Sequence, residues 1–316
     1  MAPSWWPLSK QTCLGLDLGS SALKAVELER EDGRVVLRAA ASAATPAGAL
    51  TEGALTDGLA VAEGIKAMLD QRKIRARNVA AAVGGDRVVC RTDMPRTGEI
   101  EAFVRAKAAS AVQYALDAAC VGWQPVESMI EGSVMWTAAP VEQVDWVRAT
   151  AALAGRAPNL VTPQACAIAN IYGHGYEPSG RNAVLILHIG ARRMLAMAMR
   201  GWAVAYSCDI ALGRQRSIEG AELDRRVLDT LEPHLDPLTA SVRPYELELV
   251  LLSGGGAASE SLSKALQERS GVDVDRLDPF RKIGYSPESE AGRTAQQYGP
   301  AMAVAAGLAL TGLGEA

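Results

Sequence analysis

Apolar residues along this chain fall into two textures: short unbroken runs bounded by Gly, Pro or Asp, and longer stretches where they return every three or four positions. The short runs at 13–18, 79–83, 183–188 and 247–252 are too brief for helices and read as buried strands. Runs at 23–29 and 34–41 flank Glu31-Asp32-Gly33, a hairpin turn sequence, so the chain opens with a three-stranded meander. Further strands are expected at 88–94, 122–126, 134–138, 160–162, 194–200 and 204–211. Helical period marks 57–71, 98–116, 142–154, 164–172, 214–235, 260–270 and 300–310. In 98–116 the apolar face includes Ile100, Phe103, Val104 and Ala108, which reads as core. Gly and Pro punctuate 173–180, which reads as a linker between two halves.

The two halves repeat one another. LGLDLGSSALKAVELE from Leu14 aligns with VLILHIGARRMLAMAM from Val184, each a buried strand, a residue with a polar head, x-Gly, then a returning strand. Asp17 and His188 occupy the same slot. A long-period duplication of this kind predicts two similar lobes facing each other. Tight Gly hairpins expose backbone N–H groups that form an anion site, so two of them can grip a polyphosphate from both sides. A carboxylate just before such a hairpin can hold Mg²⁺ through water.

Composition narrows the function. At ~100–200 residues per domain, a chain of 316 residues suits two lobes. A net charge of -4 excludes non-specific nucleic-acid binding as a leading role. The five cysteines contain no CxxC pair and read as reduced thiols, and the three histidines lie too far apart for a metal-site spacing. No apolar run approaches the ~20 residues of a membrane span. The tail at 1–12 carries Trp5 and Trp6 but lacks the apolar core of a signal peptide.

Leu16-Asp17-Leu18-Gly19-Ser20-Ser21 resembles the first phosphate loop of the actin-like ATPase superfamily, and Leu251-Leu252-Ser253-Gly254-Gly255-Gly256 resembles its adenosine motif. Thr162-Pro163-Gln164-Ala165-Cys166-Ala167 and Tyr298-Gly299-Pro300-Ala301-Met302-Ala303 look like its two interlobe connections. The resemblance implies an α/β, actin-like (ribonuclease H-like) two-lobed ATPase fold. Lobe I would span 13–181 and lobe II 182–316, with the helix at 300–311 packing back toward lobe I. It implies ATP held by Asp17, Gly19, Ser20, Ser21, Lys24, Gly190, Arg192, Gly254, Gly255 and Gly256, with Mg²⁺ near Asp17. His188 departs from the pattern, because the superfamily carries Asp there and imidazole suits a hard cation poorly. Arg192 and Arg193 follow at once, and read either as solvated hairpin charges or as phosphate ligands replacing the metal's charge. Impaired hydrolysis is the expectation.

The stretch at about 88–159 resembles the small inserted subdomain of PilM and FtsA. Val79-Ala80-Ala81-Ala82-Val83-Gly84-Gly85, then Val88-Val89-Cys90-Arg91 and Met94-Pro95, are similar to the PilM family of type IV pilus assembly proteins. That likeness implies a cytoplasmic scaffold at the inner face of the inner membrane. Its partners would be the N-terminal tail of a PilN-like membrane protein, the pilus inner-membrane complex and its motor ATPases. A homo-oligomer is left open. The alternatives are an active ATPase or small-molecule kinase, for which Asp17 and Asp209 are the nearby carboxylates, and a GspL-like secretion domain.

Overall fold

A computed structural model describes residues 11–51, 54–95, 98–126, 132–178, 183–213 and 220–314. The tail with Trp5 and Trp6, and the start of the helix expected at 214–235, lie outside the described residues.

The opening meander consists of β1 (Gln11–Leu18), β2 (Ala22–Glu31) and β3 (Arg34–Ala44), paired antiparallel. Asp32 and Gly33 turn the second hairpin with φ of 50° and 77°. A two-rung hairpin of β4 (Leu50–Thr51) and β5 (Ala54–Leu55) leads into α1 (Gly58–Gln71). The Asp57 carboxylate caps α1 by accepting the Ala60 N–H at 3.0 Å. Next come β6 (Val79–Val83), β7 (Val89–Asp93), α2 (Ile100–Ala111), β8 (Ala119–Pro125), β9 (Val134–Pro140), α3 (Val141–Leu153), β10 (Leu160–Pro163) and α4 (Gln164–Tyr176).

The second half repeats the plan with β11 (Ala183–Ile189), β12 (Arg193–Arg200) and β13 (Ala203–Ala211). Then follow α5 (Ala221–Leu231), α6 (Leu235–Ser241), β14 (Leu247–Ser253), α7 (Glu260–Ser270), β15 (Asp273–Arg276), α8 (Glu290–Tyr298) and α9 (Ala303–Gly312). The first sheet runs β10-β6-β1-β2-β3, and the second contains β15-β14-β11-β12-β13. Each is two parallel strands beside an antiparallel meander, so the duplication read from two hairpins extends to whole sheets.

Between the sheets lie α4 and α9, buried in one cluster that takes Val26 and Leu28 from the first sheet and Ile186 and Met197 from the second. Small residues make this possible. A Cβ on Gly307 would stand 1.9 Å from the Ala167 carbonyl oxygen, and one on Gly15 would stand 1.9 Å from that of Ala305. Both are backbone atoms, so neither position has room for a side chain.

Three expectations change. The linker read at 173–180 is helical as far as Tyr176, because Gly173 and Gly175 face neighbours rather than water. Glu177, at φ 45°, ends the helix by donating its N–H to the Gly173 carbonyl at 3.0 Å. The helix at 98–116 stops at Ala111, where Val112 turns extended. The stretch expected as one insertion divides between the two sides. Strands β7, β9 and β8 continue the second sheet through the Tyr206–Arg91 pairing, with the Arg91 guanidinium 3.7 Å from the Tyr206 ring centre. Helix α3 instead packs on α1 and β6, burying Ala151 with Val61 and Ile65.

Candidate functional site

Between the sheets opens a cavity of about 840 Å³. Its opposite walls are the hairpins β1–β2 and β11–β12. Gly19 N–H donates to the Ala22 carbonyl at 3.2 Å, and Gly190 N–H donates to the Arg193 carbonyl at 2.9 Å. The same turn therefore stands on both sides of the cleft, with Gly19, Ser20 and Ser21 lining one wall and Gly190 and Arg192 the other. Thr45 ties down the first hairpin, its hydroxyl on the Gly19 carbonyl at 2.6 Å and its N–H on the Ser21 carbonyl at 3.0 Å.

Asp17 ends β1 and is buried, with 1% of its surface exposed. Lys24, opposite it on β2, donates to Oδ2 at 2.9 Å, and the Gln164 amide reaches Oδ1 at 3.3 Å. Gln164 is the first residue of α4, so this carboxylate is held from both the hairpin and the interlobe helix.

His188 ends the matching strand. Its Nδ1 lies 3.0 Å from Ser253 Oγ, and Ser253 Oγ donates to the Pro300 carbonyl at 3.1 Å. Burial pushes the ring's pKa down to about 4, and the nearby Asp17 charge only partly opposes this.

The arginines of the second hairpin bridge the lobes. Arg192 donates to the Leu50 carbonyl at 3.1 Å, and Arg193 pairs through Nε with Asp209 and at 3.7 Å with Asp86. Asp209 Oδ2 also accepts the Gly85 N–H at 3.1 Å. Burial raises the Asp209 carboxyl above its ordinary range, outweighing the pull of Arg193. Asp209 and Arg193 carry no partners in the sequence reading; their mutual pairing depends on the β12–β13 ladder, and the Gly85 contact on the turn after β6 reaching Asp209, which no local pattern reveals.

Gly254, Gly255 and Gly256 lie beside the cavity rather than among the residues that wall it. Gly254 and Gly256 pack behind the second hairpin, while Gly255 is exposed. A Cβ on Gly254 (φ 82°) or Gly256 would lie 2.3 Å from Ile189, and the Gly254 N–H donates to the Pro300 carbonyl at 2.9 Å.

Magnesium does not suit these donors. Both Asp17 oxygens are hydrogen-bonded and its charge is met by an ammonium, while the matching slot offers an imidazole nitrogen. Asp209 and Asp86 share Arg193. No group of three or more His, Cys, Asp or Glu able to hold a metal occurs among the described residues. A hard dication asks for oxygen ligands that carry spare negative charge.

Two matching sheet lobes joined by buried crossing helices, with paired hairpins across one polar cleft, define the actin-like ATPase fold. A Bacteroides thetaiotaomicron protein described as having that fold and unknown function superposes with a TM-score of 0.50 at 9% identity, over 87% of this chain and 93% of its own. The chain belongs to the family described as type IV pilus assembly protein PilM, whose model matches residues 15–233 and 221–313. A chain of the structure titled "PilM-PilN type IV pilus biogenesis complex" superposes with a TM-score of 0.75 at 27% identity, over 95% of this chain and 98% of that one. No helix among the described residues is long and apolar enough to cross a membrane.

Proposed function

We propose that this PilM-type protein is an adaptor at the cytoplasmic face of the inner membrane. It captures the N-terminal tail of a PilN-like membrane protein, and its cleft takes a nucleotide of the ATP class with little turnover. The match to a chain of a PilM–PilN complex, across 95% of the residues, carries the adaptor reading. On this reading the tail would seat on the surface formed by β7 and α2, where a few apolar anchors would order a flexible segment. The mirrored hairpins of the cavity support the nucleotide reading.

Slow turnover follows from how the acids and bases are engaged. Phosphoryl transfer needs a base or an orienting group free to reach the attacking oxygen. Asp17 is held by Lys24 and Gln164, and His188 by Ser253. The test is calorimetry with a peptide of the partner's first residues, alongside phosphate release from ATP. Peptide binding with negligible release supports the reading; rapid multi-turnover release, or no peptide binding, rejects it. The alternative, an active ATPase or kinase, would use the cleft carboxyl Asp209, which would first have to leave Arg193 and the Gly85 N–H. Phosphate release abolished by Asp209→Asn would establish that reading.

A further inference from the structure

We propose that the cleft binds its nucleotide as the metal-free polyphosphate, with the Lys24 ammonium and the Arg192 guanidinium supplying the positive charge that a divalent ion supplies elsewhere. This deepens the nucleotide reading and rests on it. It starts from the mismatch between magnesium and the donors present.

Lys24, paired with Asp17 across the first hairpin, places its Nζ on Asp17 Oδ2 and beside Gly19 of the turn, at the cavity wall. An ammonium has three N–H donors. One is on Asp17 Oδ2 at 2.9 Å, which fixes Nζ at the cavity wall and leaves two directions for phosphate oxygens. Gln164, from α4, braces Asp17 on its other oxygen, so the carboxylate holds the lysine in place and needs no ion of its own. Arg192 lines the same cavity from the second hairpin. Its guanidinium has five N–H donors and spends one on the neutral Leu50 carbonyl at 3.1 Å, and among the described residues no carboxylate pairs with it. Arg193 is different, being taken up by Asp209 and Asp86. Each hairpin thus brings one cation with donors to spare, placed on either side of a polyanion.

The two roles of Asp17 make opposite predictions. If Asp17 orients a lysine, removing its charge frees that lysine for phosphate; if it holds a metal, removing its charge removes the metal. The experiment is calorimetry of ATP against the nucleotide-free full chain, once in EDTA and once in excess magnesium chloride. Affinities within about twofold of each other are expected for the wild type. Asp17→Asn should bind at least as tightly as the wild type in both buffers. Lys24→Met and Arg192→Ala should each weaken binding about tenfold or more in EDTA. Arg192→Ala alters a hairpin side chain without stranding a buried charge, and so keeps the test open if Lys24→Met misfolds. Binding that requires magnesium, or that Asp17→Asn abolishes only in magnesium, overturns the inference and leaves the nucleotide reading intact. Absence of ATP binding in both buffers overturns that reading and the inference with it.

Discussion

Replacing His188 with Asn should flatten the acid limb of the stability profile. In the folded chain the buried ring titrates at about 4, against 6.5 for an ordinary histidine. Unfolded, the ring therefore takes up its proton first as pH falls. The stability of the neutral buried ring is fully present above 6.5 and is lost as pH falls toward 4. At ~1.4 kcal/mol per pKa unit the full interval is worth ~3 kcal/mol, and ~2 kcal/mol of it is gone by about pH 5. Glu27 and Asp209, whose carboxyls burial raises, tilt the profile the other way. They are common to both proteins and cancel in the comparison. Urea unfolding followed by tryptophan fluorescence at about pH 7.5 and about pH 5 gives the two differences. The wild type should lose ~2 kcal/mol more than His188→Asn over that span. Equal losses would refute the claim that this ring is kept neutral by burial against Ser253.

Gly307→Ala puts a methyl group 1.9 Å from the Ala167 carbonyl where α9 meets α4, and should cost ~3 kcal/mol or more, read as a fall in the urea midpoint or as insoluble protein. Arg193→Ala leaves Asp209 buried without its cation; the arginine is partly solvent-exposed, so the expected loss is ~2 kcal/mol at neutral pH, shrinking in acid as Asp209 protonates. Trp136→Phe removes the indole N–H that donates to Asp93 Oδ2 at 2.8 Å and should cost ~2 kcal/mol by the same unfolding assay.

The duplication was legible because it depends on local features: strand, polar head, x-Gly and strand recur at 14–29 and 184–199, and both hairpins close with the same Gly N–H bond. The contrast between Asp17 and His188 was legible for the same reason. What sequence could not give is where each charge finds its opposite. Arg193 and Asp209 meet only because β12 pairs with β13 in a register that sets them across the ladder. Gln164 read as part of a connection, and its reach to Asp17 depends on the start of α4 lying under β1. The helix through Gly173 and Gly175 was hidden because glycine signals a break locally, while here it buys close contact with Trp202 and Arg281. The insertion's split has a similar cause, since β9 and α3 are consecutive in the chain, yet β9 lies in the second sheet and α3 buries Ala151 with Val61 and Ile65 of α1.

The Tyr206–Arg91 pairing has a mechanical consequence. The chain of β7 departs from the first sheet, yet its ladder is grafted onto the edge of the second. Any swing of one half against the other would pull β7 by its bonded edge while α3, thirteen residues of helix packed beside α1, stays with the first half. The inserted strands thus work as a pointer attached to one plate and pivoted on the other. A change of angle at the cleft would then be carried through β9 to β8, the edge strand of that sheet.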